Sequence, residues 1–169
     1  MRAAIPNFRI EETGPQDVPL ILSFIKELAE YERLSHSVVV TEDALAEALF
    51  GKHPTASAVI GYYEDAPVCF ALFFHNFSTF VGRPGLYLED LYVRPEMRGR
   101  GFGRAMLAYL AQVARARGCA RMEWAVLDWN EPAIKFYKSL GARPLDDWTV
   151  FRLTDEALDK LAGEDRKIF

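Results

Sequence analysis

Two periods of hydrophobic spacing run along this chain, and together they outline a mixed order of strands and helices. Phe8 to Glu12 reads as a short strand. From Asp17 to Leu34, the residues Val18, Ile21, Ile25, Leu28 and Tyr31 recur at three- and four-residue steps, which predicts an amphipathic helix. Thr41 followed by Glu42 and Asp43 predicts the cap and first turn of a second helix, with Leu45 and Leu49 as its apolar stripe. Ser57 to Glu64 and Val68 to Phe77 are rich in β-formers and are separated by Asp65-Ala66-Pro67, the chemistry of a hairpin turn. Gly85 to Val93 reads as a strand that leads into an Arg/Gly-rich loop and a helix from Arg104 to Arg117. Ala120 to Leu127 follows as a strand, Pro132 to Leu140 as a helix stopped by Gly141, Thr149 to Leu153 as a strand and Thr154 to Ala162 as a last helix. No repeat, low-complexity tract or polar linker interrupts this α/β order, so one domain is expected over residues 1–169.

Composition narrows the classes. A chain of 169 residues, half of them hydrophobic and 26% charged, can bury a core and is not a disordered segment. A net charge of -4 and a pI of about 5.4 leave no global positive field to gather a nucleic acid. That weighs the aromatic run Phe70, Phe73, Phe74, Phe77 and Phe80 toward core packing and away from base stacking. The longest apolar stretch, Val68 to Phe74, is far short of a membrane span, and Met1 to Asn7 lacks the apolar core of a signal peptide; a cytoplasmic protein is expected. Cys69 and Cys119 sit in no CxxC pattern, and His36, His53 and His75 have no ligand spacing, so both cysteines are expected to be packing residues and no metal is expected.

Candidate chemistry concentrates in Arg98-Gly99-Arg100-Gly101-Phe102-Gly103-Arg104, between a predicted strand and a predicted helix. Unpaired backbone N–H groups and the helix dipole favour an anion at such a junction, and three arginines add cationic donors in an otherwise acidic chain. No GxxxxGK[ST] string is present, and GxGxxG fails from both Gly99 and Gly101, which leaves Arg-x-x-Gly-x-Gly. A flexible surface turn is the plain alternative. Downstream, Asn130-Glu131-Pro132-Ala133-Ile134-Lys135-Phe136-Tyr137-Lys138-Ser139-Leu140-Gly141 sets an asparagine before a helix that carries an aromatic-tyrosine pair and ends at glycine. In this order and spacing the two segments resemble the signatures of the GNAT superfamily of N-acetyltransferases. Lys26 to Glu32, Tyr87 to Asp90 and Trp129 to Pro132 are similar to segments of its diamine branch, which includes the spermidine/spermine enzymes.

The resemblance implies a central, mostly antiparallel twisted sheet flanked by helices, and acetyl-CoA as co-substrate. It implies direct acetyl transfer, in a ternary complex, to a primary amine of a small molecule, a diamine, polyamine or lysine-like amine. A homodimer is implied by the same likeness. Among residues, it implies a diphosphate cradle at Arg98, Gly99, Arg100, Gly101, Phe102, Gly103 and Arg104, and a bulged, oxyanion-stabilising backbone at Leu91, Tyr92 and Val93. Asn130 and Ala133 would meet the pantetheine arm, although Asn130 also reads as a plain helix cap.

An alkyl amine with a pKa of about 10.4 must lose a proton before it can attack. Glu89 and Asp90 interrupt an apolar strand and, by the two-residue period, point to opposite faces. The resemblance makes Glu89 the general base, through water, and Asp90 a holder of the amine; two solvated carboxylates are the plain alternative. Tyr137 would stand beside the leaving thiolate. Full proton transfer from a phenol of pKa about 10 to a thiolate whose acid has pKa about 8.5 is uphill by about 2 kcal/mol, so a hydrogen bond to sulfur is the other reading. Tyr31, Glu32, Asp146, Asp147 and Trp148 would make an acidic, aromatic pocket for a second cationic group, or else a solvated acidic face. A non-catalytic acyl-CoA-binding domain and a protein or peptide N-acetyltransferase are the competing functions. The presence of both Glu89 and Tyr137 weighs against the first.

Overall fold

A computed structural model describes residues 5–163, so part of the opening segment Met1 to Asn7 lies outside it. The chain divides into two compact units, Met1–Ala125 and Val126–Phe169. The first holds β1 (Phe8–Glu12), α1 (Val18–Tyr31), α2 (Glu42–Phe50), β2 (Ser57–Tyr63), β3 (Ala66–Ser78), β4 (Arg83–Val93), α3 (Phe102–Ala116) and β5 (Met122–Trp124). The second holds α4 (Glu131–Ser139) and α5 (Asp155–Gly163). Among the described residues, no helix is long and apolar enough to cross a membrane.

The five strands form one sheet in the order β1-β2-β3-β4-β5, antiparallel except for the parallel β4–β5 pair. The expected amphipathic face of α1 buries Val18, Ile21 and Leu28, joined by Leu22 and Phe24, and packs with Leu45 and Leu49 of α2 against Ala58, Ile60, Phe70 and Tyr92. Thr41 caps α2 by accepting a hydrogen bond from the Ala44 amide at 3.2 Å. Successive strand residues face opposite ways, and Tyr63, odd in register to Ala58 and Ile60, meets α3 instead. There the buried Phe102 ring lies 4.7 Å from Phe8 and 5.3 Å from Tyr63.

The β2–β3 hairpin turns on Glu64 and Asp65, whose φ values of 49° and 65° are those of a two-residue primed turn that matches strand twist. The turn therefore lies one residue ahead of the expected Asp65-Ala66-Pro67. Pro67 enters β3 beside a bulge, because Gly61 pairs with Cys69 but Tyr62 pairs with Pro67. A residue without an N–H is tolerated at such an irregularity.

Three predicted elements change most. Helix α3 starts at Phe102, ahead of Arg104. Strand β5 is shorter than Ala120 to Leu127: its ladder runs from Leu86↔Met122 to Leu88↔Trp124 and stops where β4 bulges at the next residue. Thr149 to Leu153 forms no strand among the described residues, and Val150 and Phe151 are 90% and 92% exposed. Its β-branched and aromatic content supplies propensity only, and a strand exists by pairing with an edge.

Candidate active site

The loop from β4 to α3 is fastened at its start. Arg94 donates from Nε and Nη2 to both oxygens of Glu27 at 3.1 and 2.9 Å, donates from Nη1 to the Pro67 carbonyl at 2.8 Å, and lies 4.8 Å over the Phe24 ring. This two-pronged pairing with Glu27 raises the Arg94 pKa and ties the loop to α1 and β3. Nothing in the local sequence signalled it, because the partners are separated by 67 positions.

Beyond Arg94 the chain makes the predicted turn. Gly99 and Gly101 adopt φ values of 76° and 93°, conformations that favour glycine, and Gly101 is the cap position of α3. Among the described residues, no side chain caps this helix start and no acidic residue lies in its first turn, so its amides are left as donors toward the turn. Arg100 and Arg104 are exposed. Phe102 is buried in the core, so of that residue only the main chain is offered to a ligand. Arg98 is placed differently: its Nε donates to the Val93 carbonyl at 2.9 Å, and its guanidinium lies 4.3 Å over Tyr31 and 5.6 Å over Tyr92.

The strand before this loop carries the bulge, two residues earlier than Leu91. Leu72 pairs with Asp90 and Phe73 pairs with Leu88, so Glu89 is the extra residue, while Leu91, Tyr92 and Val93 pair regularly with Ala71, Phe70 and Cys69. The inserted residue breaks the alternation that placed Glu89 and Asp90 on opposite faces. Burial, then the charges of Glu89 and Glu32, push the Asp90 carboxyl up to about 6. Glu32 is itself raised by burial. Tyr31, Glu32, Glu89 and Asp90 thus belong to one neighbourhood of the first unit, and Asp90 titrates close to neutrality, the range useful for moving a proton.

In the second unit, Asn130 is buried and accepts at Oδ1 from the Ala133 amide at 3.4 Å, so it does cap α4. Tyr137 is half-buried on that helix, its ring 5.5 Å from Phe136. Gly141, with φ 89°, ends the helix as predicted. Asp146 and Asp147 lie in an exposed turn closed by the Trp148 amide donating to the Leu145 carbonyl at 3.2 Å, and Trp148 is 74% exposed. Both cysteines are buried, and burial pushes the Cys69 thiol up to about 12, which makes it a poor nucleophile.

Residues 23–142 match the model of the acetyltransferase (GNAT) family. Over 92% of its length the chain is 41% identical to the thialysine N-epsilon-acetyltransferase of Sus scrofa, covering 97% of that protein. It is 31% identical to an L-ornithine N5-acetyltransferase of Arabidopsis thaliana, covering 90% of this chain and 87% of that one. Among solved structures, an integron cassette protein from the mobile metagenome of V. cholerae superposes with a TM-score of 0.78 at 26% identity, over 93% of this chain and 98% of the other. The uncapped glycine turn, the mostly antiparallel sheet and these matches agree, and the chain belongs to the GNAT family of acetyltransferases.

Proposed function

We propose that this acetyltransferase moves the acetyl group of acetyl-CoA to the terminal primary amine of a small lysine-like diamino compound. The observation that carries the reading is the Asp90 carboxyl, poised near neutrality beside Glu89 and Glu32 on the strand that leads into the glycine turn. An acidic neighbourhood of this kind draws in a cationic amine, and a carboxylate there can take up its proton. The thialysine and ornithine relatives, whose names describe acetylation of side-chain amines, support the substrate class.

When bound, acetyl-CoA supplies an acyl carbon activated by its thioester. The amides of Gly99 to Arg104, with Arg100 and Arg104, hold the diphosphate, and the backbone of Leu91 to Val93 lines the acyl end. Glu89, through water, or Asp90 directly receives the proton of the incoming ammonium. The nitrogen forms its bond to the acyl carbon as the carbon–sulfur bond breaks, and Tyr137 donates a hydrogen bond or its proton to the departing sulfur. Asn130 and Ala133 flank the pantetheine arm, and Tyr31 and Glu32 select the second charged group.

The test is release of free thiol from acetyl-CoA against putrescine, spermidine, lysine, thialysine and ordinary amino acids. Thialysine and lysine are expected to lead the panel. Tyr137→Phe is expected to lower kcat by about a hundredfold, the scale of one acid–base group, with KM for acetyl-CoA little changed. A chain that gives no heat when titrated with CoA is not this enzyme.

The working form is proposed to be a homodimer. Leu145, Trp148, Val150, Phe151 and Leu153 are all exposed within one short stretch, and apolar residues gathered at a surface are a feature of interaction sites. Sedimentation equilibrium is expected to return twice the chain mass; a single-chain mass at assay and at higher concentrations would remove the dimer.

A further inference from the structure

Arg98 stands first in the Arg-x-x-Gly-x-Gly turn, yet its side chain lies against the end of α1. Its Nε is bonded to the Val93 carbonyl, and its guanidinium covers Tyr31, the last residue of α1, with Tyr92 further off. The residue after Tyr31 is Glu32, whose charge is felt by Asp90. A planar guanidinium can stack and hydrogen-bond at once, which an ammonium cannot reproduce. One side chain therefore joins the turn that takes the diphosphate to the helix end that carries an acidic group of the amine site.

We infer that Arg98 is a positioning residue that couples the two substrates, so that ordering of the glycine turn by the coenzyme fixes Tyr31 and Glu32 for the amine. The inference rests on the acetyltransferase reading above. Its physical basis is shared ordering: whichever ligand binds first immobilises the Arg98–Tyr31 stack, and the second no longer bears that entropic cost. Coupling of this kind is reciprocal, so the amine tightens CoA by the factor with which CoA tightens the amine. Arg94 does not serve the same end, because its partners Glu27, Pro67 and Phe24 hold the loop at its base and reach neither Tyr31 nor Glu32.

The experiment is calorimetric titration of thialysine into the full chain, alone and saturated with CoA, which lacks the acetyl group and so allows no turnover. In the unsubstituted chain CoA is expected to tighten thialysine by about five- to tenfold, the lower range of allosteric coupling. Arg98→Lys keeps the charge but not the stack, and is expected to bring the factor to within about twofold of unity, as is Tyr31→Leu; Tyr31→Phe, which keeps the ring, is expected to restore it. Thermal melts of the variants run alongside. A coupling factor unchanged in Arg98→Lys or in Tyr31→Leu overturns the inference, as does CoA binding that leaves thialysine affinity untouched in the unsubstituted chain. Failure of CoA to bind that chain at all overturns the acetyltransferase reading, and this inference with it.

Discussion

Asp90→Asn is expected to give a more stable protein and a poorer enzyme. An aspartate is half-protonated near pH 3.8 when free, and in the folded chain its midpoint rises to about 6. Between those values the native state binds more protons than the unfolded one, so stability falls as pH climbs from about 4 to about 6 and stays lower above that window. A shift of this size corresponds to a penalty on the order of 2–3 kcal/mol at pH 7.5, caused by burial first and by Glu89 and Glu32 next. Asparagine has the same shape without the charge. Its melting temperature is expected to exceed that of the parent by several degrees at pH 7.5 and to match it near pH 4. Turnover pays in the opposite direction: kcat/KM for the amine is expected to fall by about a hundredfold, and the acid limb of its pH profile near 6 to disappear. Equal melting temperatures at pH 7.5, or an unchanged acid limb, would show that Asp90 carries no such charge penalty.

Gly101→Val is expected to strike coenzyme binding and spare most of the fold. Among the described residues, a Cβ at this position meets only Ile5 Cδ1, at 3.6 Å, so space is available. The obstacle is the backbone, whose φ of 93° is hostile to a β-branched residue. Strain of about 1–2 kcal/mol is relieved by rotating the turn, which carries the amides of α3 away from a shared focus. Losing one hydrogen bond to a charged group costs about 1.5–3 kcal/mol, so KM for acetyl-CoA is expected to rise by about ten- to a hundredfold while KM for thialysine measured at saturating coenzyme moves far less. Steady-state kinetics with each substrate varied in turn reads this directly. A KM for acetyl-CoA within twofold of the parent would place the diphosphate elsewhere.

How much of this was legible beforehand depends on the range of the forces involved. Helices α1 and α2 were visible because their determinants are local: the stripe from Val18 to Leu28 repeats every turn, and Thr41 reaches only to Ala44. The turn at Gly99 and Gly101 was equally plain, since closely spaced glycines mark where the chain can take positive φ at no steric cost. The bulge at Glu89 was misplaced, because an extra residue in β4 is defined by the length of β3 opposite it. For the same reason Asp90, read as a holder of the amine, emerges with the most displaced titration among the carboxylates of its neighbourhood. The Arg94–Glu27 clamp and the Arg98–Tyr31 stack join segments far apart in sequence, and no spacing rule announces them. Thr149 to Leu153 shows the converse failure, a pattern with strand character and no strand, because pairing is a property of two segments.

Burial of Cys69 and Cys119 has a practical side for anyone who follows turnover by colour. Chromogenic disulfides react with thiolates they can reach, and neither sulfur of the folded protein meets that condition. Product coenzyme is then the thiol a continuous assay registers on the native chain, and a slow creep in absorbance with neither coenzyme nor amine present reports unfolding.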